Sequence, residues 1–227
     1  LTSELAQNSD KVVTIEIDER LIDVLDYTLA EYDNVKIINE DILKLDLKKV
    51  IDDEFNGEKV SIAANLPYYI TTPIITKLLE EKLPIKNIVV MVQKEVAERM
   101  SAKPSTKDYG AITVLCQYYT EPSIVANVPA SLFVPPPKVD SAVLKLKVLD
   151  KPSVEVKDEG VFFRVVKAAF SQRRKTLLNC LSANFPIPKD EISTLLESIG
   201  IAPSRRGETL SLKEFANIAD TLLQKIK

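Results

Sequence analysis

The 227-residue chain contains no histidine and only two cysteines, Cys116 and Cys180. Without imidazole, the chain cannot use the Ser–His and Cys–His pairs that activate nucleophiles in many hydrolases. Histidine is also the commonest metal ligand, so we expect no metal site. Two cysteines do not build a disulfide framework, and we therefore expect a reduced protein of the cytoplasm.

Long apolar runs are also lacking. No stretch reaches the roughly 20 apolar residues that a membrane-spanning helix needs, and we expect no membrane partner. Hydrophobic residues nevertheless make up 45% of the chain and charged residues 28%. This composition is that of a folded protein with a sizeable core, and it argues against disorder.

The net charge of −3 is unevenly distributed along the chain. Residues 151–227 contain 13 Lys and Arg against 9 Asp and Glu, whereas residues 1–150 contain 17 against 24. Such an asymmetry indicates a module that faces a polyanion joined to an acidic one. The alternative is that the basic part simply has a solvated surface.

The first 150 residues alternate predicted strands and helices, which is typical of an α/β fold with a mostly parallel sheet. β-Branched runs predict the strands, and apolar residues spaced three or four apart predict the helices. The strands are expected at 11–17, 35–38, 59–64 and 87–92, the helices at 18–29, 72–81 and 93–100, and an antiparallel closing pair at 124–128 and 139–148.

After residue 150 the pattern becomes helical, following the connector Asp150-Lys151-Pro152-Ser153. Helices are expected at 161–170, 175–184, 190–198 and 212–226, with Gly200 at a helix C-cap. We therefore predict two domains, an α/β domain over residues 1–150 and a small all-helical domain over residues 151–227.

The most informative segment is Asn65-Leu66-Pro67-Tyr68, which follows the small and apolar residues 61–64. It is similar to the catalytic loop of amino-methyltransferases that act on adenine. An exocyclic adenine amine is a poor nucleophile, and two carbonyl oxygens accepting its N–H bonds would aim its lone pair at a methyl donor. The Asn65 side chain and the Leu66 backbone can supply these acceptors. Pro67 stiffens the loop, and Tyr68 offers a face for stacking a flipped base. The alternative is a strand-to-helix turn in which Asn65 caps and Pro67 starts the next helix.

Polar side chains also end the two preceding predicted strands. In a doubly wound nucleotide-binding fold, a carboxylate in the position of Glu16 accepts hydrogen bonds from the ribose of an adenosine cofactor. Asp41 is placed to accept from the adenine amine, and Ile17 and Ile42 can wall the ring. The alternative is that Glu16 and Asp41 are ordinary loop acids.

A proline-rich segment, residues 131–141, contains Phe133 and Lys138. Prolines hold the backbone extended, so Phe133 is expected to be presented from a stiff loop and to sandwich a target base with Tyr68. The alternative is that Phe133 is a core residue beneath a crossover.

The basic half contains two groups of adjacent cations, Arg173-Arg174-Lys175 and Arg205-Arg206. Cations at a predicted helix start do not favour the helix dipole, so contact with nucleic-acid phosphates is one explanation. The alternative is an internal set of salt bridges with Glu208 or Glu214.

Together these motifs resemble the ribosomal RNA adenine N6,N6-dimethyltransferase family, and within it the small-subunit enzymes that confer kasugamycin sensitivity. The motifs that carry the resemblance are Glu16-Ile17-Asp18, Glu40-Asp41, residues 65–73, residues 133–142, residues 170–177 and Gly207-Glu208-Thr209-Leu210. They extend over essentially the whole chain.

The resemblance implies a Rossmann-like methyltransferase that uses S-adenosylmethionine, with Glu16 on its ribose, Asp41 on its adenine and Asn65 at the methyl-transfer centre. The implied substrate is a pair of adjacent adenosines in the 3′-terminal hairpin of small-subunit ribosomal RNA, and the implied role includes small-subunit assembly. Lys138 and the two cationic groups are the expected RNA contacts. We expect a monomer.

The chain departs from the family at its start. The family has a Gly-rich turn that ends in a Leu-Thr pair, and this chain begins with Leu1-Thr2. We therefore expect the central first strand and the Gly-rich cofactor turn to be missing, and the 227 residues alone to be inactive or to bind S-adenosylmethionine poorly.

Two alternative functions stay open at this point. One is a non-catalytic ribosome assembly or RNA-binding factor that keeps the fold, which the departure at the chain start favours. The other is a large-subunit ribosomal RNA adenine dimethyltransferase of the macrolide-resistance type. The continuation Tyr69-Ile70-Thr71-Thr72-Pro73 and the basic segment 173–176 favour the small-subunit enzymes instead.

Overall fold

A computed structural model describes residues 1–226 of the protein as two compact units, unit 1 over Leu1–Lys86 and unit 2 from Asn87 onward. In unit 1 the helices are α1 (Thr2–Gln7), α2 (Ile22–Thr28), α3 (Leu47–Phe55) and α4 (Thr71–Glu80), and the strands are β1 (Val12–Glu16), β2 (Val35–Asn39) and β3 (Val60–Asn65). Strand β4 (Ile85–Gln93) begins at the end of unit 1 and continues into unit 2.

Unit 2 contains strands β5 (Thr120–Val128) and β6 (Ser141–Val148) and six helices. The helices are α5 (Lys94–Met100), α6 (Ala111–Tyr119), α7 (Glu159–Ala169), α8 (Leu177–Asn184), α9 (Lys189–Ser198) and α10 (Leu212–Ile226).

Strands β1 and β2 pair in parallel, in a register that runs from Val12 opposite Val35 to Glu16 opposite Asn39. Their β-branched residues suit a pleated, half-buried surface. A 3₁₀ turn precedes α2, and the carboxylate of Asp18 accepts a hydrogen bond from the backbone N–H of Arg20 there. Asp18 therefore caps the turn that leads into α2.

Helix α4 has one apolar face, on which Ile74, Ile75, Leu78 and Leu79 are all buried. These residues recur at the spacing of an amphipathic helix, which is why the sequence predicts the helix within a residue of its ends. Helix α3 was not predicted, because only Leu47 and Ile51 are buried among its charged residues.

Strand β6 is antiparallel to both β4 and β5 in the order β4-β6-β5. The predicted antiparallel pair of β5 and β6 is thus confirmed. Alternate residues of β6, Ala142, Leu144 and Leu146, are completely buried, so one face of this strand is covered by the core. Strand β5 has a register irregularity between Ile124 and Ala126.

Helices α7 to α10 surround an apolar core that includes Phe162, Leu177, Leu181 and Phe215. Helix α6 contributes Val114 and Tyr118 to the same core, so the predicted domain division at residue 150 stays a prediction. Gly200 follows α9 with φ +75°, a left-handed conformation that glycine adopts without strain, and this agrees with the predicted C-cap.

The helix predicted over residues 175–184 begins two residues later, at Leu177. Thr176 is its N-cap, with a side chain that accepts a hydrogen bond from the backbone N–H of Asn179. Arg173, Arg174 and Lys175 therefore lie in the loop that leads into α8, near the helix start as predicted, except that Lys175 is not itself on the helix.

Candidate functional site

Glu16 ends β1, and its backbone carbonyl joins it to the end of β2. That carbonyl accepts hydrogen bonds from the backbone N–H of Glu40, at 3.1 Å, and from the side-chain amide of Asn39, at 2.8 Å. One carboxylate oxygen of Glu16 accepts from the backbone N–H of Asp18 at 2.8 Å. The other has no hydrogen-bond partner within residues 1–226, so it can accept from a ligand.

Asp41 follows β2 and shapes its own turn. Its carboxylate accepts a hydrogen bond from the backbone N–H of Leu43 at 2.9 Å, and its carbonyl accepts from the backbone N–H groups of Lys44 and Leu45. Asp41 is half-buried. Like Glu16, it keeps one carboxylate oxygen without a partner in the described part of the chain. Each acid thus uses one carboxylate oxygen to hold its own turn, and its second oxygen is available to a ligand.

The apolar residues beside these acids differ in exposure. Ile17 is 65% exposed, whereas Ile42 is half-buried. Asp18, next to Ile17, accepts hydrogen bonds from the Arg20 guanidinium at 2.7 and 2.9 Å. These hydrogen bonds lower the pKa of Asp18 to about 2. Asp18 is therefore engaged in holding the turn after β1.

Asn65 is the last residue of β3, and its side chain is exposed. Neither the Asn65 side chain nor the Leu66 carbonyl has a hydrogen-bond partner within residues 1–226. Leu66 itself is 7% exposed, so its buried side chain anchors the loop. Two free acceptors on an anchored loop are what the predicted hydrogen bonds to an amine require.

The turn after Asn65 is held by Pro67. Its carbonyl accepts from the backbone N–H of Ile70 at 3.1 Å and from the hydroxyl of Thr71 at 3.2 Å. Helix α4 begins at Thr71 with Ile70 as its N-cap and no side-chain cap. The alternative in which Asn65 caps this helix and Pro67 starts it is therefore wrong. Tyr68 is half-buried and Tyr69 is 87% exposed.

Phe133 lies in unit 2, in the loop between β5 and β6. It is half-buried and does not belong to the buried core, whereas its neighbours Leu132 and Val134 are 72% and 100% exposed. The carboxylate of Asp140 accepts from the backbone N–H of Ala130 at 2.9 Å and so closes this loop. Phe133 is presented from a braced loop, as predicted, and its stacking with Tyr68 stays a prediction.

The two cationic groups are partly used by the fold. The side chain of Arg205 binds the carboxylate of Glu214 and the carbonyl of Thr209. Arg173 donates to the carbonyl of Lys107 at 2.8 Å and lies 3.8 Å from the carboxylate of Glu208. The salt-bridge alternative therefore holds for these two arginines.

The remaining predicted RNA contacts are exposed. Arg174, Lys175, Arg206 and Lys138 have no side-chain hydrogen bond or ion pair within residues 1–226. The sequence had no signal for the bracing role of Asp140 or for the contact of Arg173 with Lys107, because both join segments that only the fold brings together.

Other chemistries have little support in the described residues. No group of three or more His, Cys, Asp or Glu that could hold a metal occurs within residues 1–226. Both cysteines are buried, and burial raises the pKa of the Cys116 thiol to about 12, so this thiol is not a nucleophile. Across the same residues, every helix is too short or too polar to cross a membrane.

Known proteins are similar to this chain over its whole length. The family described as ribosomal RNA adenine dimethylase matches residues 1–224. The ribosomal RNA small subunit methyltransferases A of Bacillus mycoides and Bacillus cytotoxicus are 54% and 55% identical, over 98% of this chain and 78% of each relative.

Two solved structures also resemble this fold. A dimethyladenosine transferase from Plasmodium falciparum has a TM-score of 0.77 and 28% identity, over 96% of this chain and 83% of that one. The 23S rRNA methyltransferase ErmE has a TM-score of 0.70 and 25% identity, over 98% of this chain and 86% of that one. The predicted Rossmann-like α/β methyltransferase fold is thereby confirmed.

Proposed function

The chain belongs to the ribosomal RNA adenine dimethylase family, and we propose that it dimethylates the N6 amines of two adjacent adenosines in the 3′-terminal hairpin of small-subunit ribosomal RNA. The methyl donor of this family is S-adenosylmethionine. Relatives at 54% and 55% identity are named for the small subunit, whereas the similar 23S rRNA methyltransferase shares 25%. These identities support the small subunit as the substrate over the large one.

The residues at the carboxyl ends of β1 and β2 fit the donor. Glu16 and Asp41 each keep one carboxylate oxygen free of partners within residues 1–226, and these oxygens suit ribose hydroxyls and an adenine amine. The exposed side chain of Ile17 and that of Ile42 offer apolar surface to a ring. When bound, the cofactor supplies an activated methyl group.

The observation that carries the proposal is the pair of free acceptors at Asn65 and Leu66. The Asn65 side-chain oxygen and the Leu66 carbonyl accept the two N–H bonds of the target amine and favour a tetrahedral nitrogen with an oriented lone pair. Pro67 holds these acceptors by its contacts with Ile70 and Thr71. Orientation of this kind is a large source of rate enhancement.

Base and RNA contacts complete the proposed site. Tyr68 and Phe133 stack on the extruded adenine, which must leave its neighbours before its amine can react. The exposed cations that contact phosphates are Lys138, Arg174, Lys175 and Arg206. Arg173 and Arg205 contact phosphates as well, while each keeps its carboxylate partner within the protein. We also propose a monomer that acts in the cytoplasm during small-subunit assembly.

The experiment that tests this function is methyl transfer from labelled S-adenosylmethionine to undermethylated small ribosomal subunits. We compare the 227 residues with a form extended at its N-terminus by the Gly-rich turn of the family, and we expect dimethyladenosine in the 3′ hairpin from the extended form, in which the variants below are made. In Asn65→Ala we expect a loss of about 100-fold or more in rate, by analogy with removal of one preorganised hydrogen-bonding group, and unchanged subunit binding. Asn217→Ala, which removes an exposed amide on α10, is the matched control and should stay active.

Other outcomes would point elsewhere. Full activity in Asn65→Ala would overturn the role of Asn65. Subunit binding without methylation by both the 227 residues and the extended form would favour the assembly-factor alternative. Methylation of large-subunit RNA alone would favour the macrolide-resistance type.

A further inference from the structure

Three loops of unit 2 are joined into one surface, which we call the three-loop face: residues 103–109, 171–176 and 203–209. The backbone N–H of Ser105 donates to the carbonyl of Glu208 at 2.7 Å. The guanidinium of Arg173 donates to the carbonyl of Lys107 at 2.8 Å. The first loop is therefore tied to each of the other two.

The second and third loops approach each other at the Arg173–Glu208 pair, and the third loop is also tied to the helices beneath it. The backbone N–H of Leu177 donates to the carbonyl of Arg205 at 2.6 Å. At Gly207, an added Cβ would lie 2.7 Å from the carbonyl oxygen of Ala169, so the third loop presses directly on the end of α7. Tyr109 packs edge-on against Phe170, with ring centroids 5.9 Å apart.

Most of the cations on this face form no side-chain hydrogen bond or ion pair within residues 1–226. Arg173 and Arg205 are paired with Glu208 and Glu214. Five exposed cations make no side-chain hydrogen bond or ion pair within residues 1–226: Lys103, Lys107, Arg174, Lys175 and Arg206. Among the acids of the three loops, Asp108 alone is unpaired in the same residues. The face thus carries a strong excess of free positive charge.

The composition of the face favours a nucleic-acid backbone over a protein partner. Protein interfaces depend on apolar and aromatic anchors near their centre. The large exposed hydrophobic residues of unit 2 are Ile124, Val125, Leu132, Val134 and Val139, and all of them lie outside the three loops. Phosphates, in contrast, require only exposed cations at several points on a firm support.

We propose that Lys103 and Lys107 bind RNA phosphates as part of the three-loop face, together with Arg174, Lys175 and Arg206. This inference rests on the proposed function, since it concerns the RNA that the enzyme holds while it methylates. It adds the loop of residues 103–109, which the basic motifs of the sequence did not include. Arg173 positions this loop by its hydrogen bond to the Lys107 carbonyl.

The test compares two double variants that remove the same charge. Lys103→Ala/Lys107→Ala removes the proposed contacts. Lys157→Ala/Lys189→Ala removes two exposed lysines that also lack side-chain partners within residues 1–226. Lys157 precedes α7, whose end meets the face, and Lys189 follows α8, whose start meets it. Because α7 has 11 residues and α8 has 8, and a helix rises about 1.5 Å per residue, each control lysine is separated from the face by the length of one helix.

The measurement is binding to undermethylated small ribosomal subunits at several salt concentrations. The binding constant falls as salt rises, and each lost phosphate contact makes the negative slope of log K against log salt shallower by about 0.7 to 0.9. We therefore expect the slope of the Lys103/Lys107 variant to be shallower than that of the wild type by about 1.4 to 1.8. The control variant should keep the wild-type slope. The Lys103/Lys107 variant should also show a raised KM for small ribosomal subunits, and the control variant should not.

Two further results decide the inference. Lys103→Arg/Lys107→Arg keeps the charge and should keep the slope, which separates loss of charge from loss of folding. A wild-type slope in the alanine variant, or a shallower slope in the arginine variant, would overturn the proposal. Absence of methylation by the N-terminally extended form would instead overturn the proposed function, so the two failures are distinguishable.

Discussion

The carboxylate of Asp140 accepts a hydrogen bond from the backbone N–H of Ala130, at 2.9 Å, and so closes the loop that presents Phe133. The carbonyl of Asp140 accepts in turn from the backbone N–H of Lys94 at 3.0 Å. The loop is therefore fixed at both its ends and also to the start of α5. Its geometry depends on Asp140 as well as on its prolines.

Replacement of Asp140 by Ala should loosen this loop. The variant loses one hydrogen bond to a charged acceptor, worth about 1.5–3 kcal/mol at most and less at an exposed site. We expect faster proteolytic cleavage within residues 129–140 and a raised KM for small ribosomal subunits. Asp140→Asn keeps an acceptor oxygen and is the control. Equal cleavage rates in the alanine variant and the wild type would contradict the bracing role.

Gly207 should not tolerate a side chain. A Cβ there would lie 2.7 Å from the backbone oxygen of Ala169, and backbone at that distance must move. We expect Gly207→Ala to lower the free energy of unfolding by about 1–3 kcal/mol, the usual cost of overpacking, as measured by urea denaturation. At Gly110 an added Cβ meets nothing within 4 Å, so Gly110→Ala should cost well under that amount. Equal losses at the two sites would contradict this explanation.

Glu214 should make stability depend on pH. Burial raises the pKa of this carboxyl group, but hydrogen bonds from Arg205 and Ser211 outweigh burial, and the net pKa is below its ordinary value of 4.5. A depressed folded-state pKa contributes stability that is present above pH 4.5 and is lost as the pH falls through the folded value. We therefore expect a smaller acid-induced loss of unfolding free energy in Glu214→Gln than in the wild type, between about pH 5 and pH 2. Identical pH profiles would contradict this linkage.

The positions of the candidate site residues on strands and loops follow from local sequence. Asn65 to Tyr68 depend on a strand end and a proline, both of which the sequence displays directly. Glu16 and Asp41 were placed correctly at the ends of β1 and β2 because the strand pattern locates these ends within a residue. The sequence could not show that each acid uses one oxygen in its own turn.

The missed features depend on packing or on distant contacts. Four consecutive residues of α6, Thr113 to Cys116, are buried, and an element that is apolar on all sides displays no helical period. The partner of Arg173 is the carbonyl of Lys107, which lies 66 residues away along the chain. Contacts at such separations become visible only once the fold is known.

Tyr109 and Tyr119 should respond in opposite ways to loss of their hydroxyl groups. The Tyr109 hydroxyl is buried and makes no hydrogen bond within residues 1–226. Burial and the nearby charge of Glu214 both raise its pKa, so it is neutral and unsatisfied. Tyr119 instead donates to the carboxylate of Glu159 at 2.6 Å.

We expect Tyr109→Phe to raise the free energy of unfolding by about 1 kcal/mol, because an unsatisfied buried hydroxyl costs about 1–3 kcal/mol. Tyr119→Phe should lower it by a similar amount, and both can be measured by urea denaturation. A loss of stability in Tyr109→Phe would show that its hydroxyl is satisfied, by an ordered water for example.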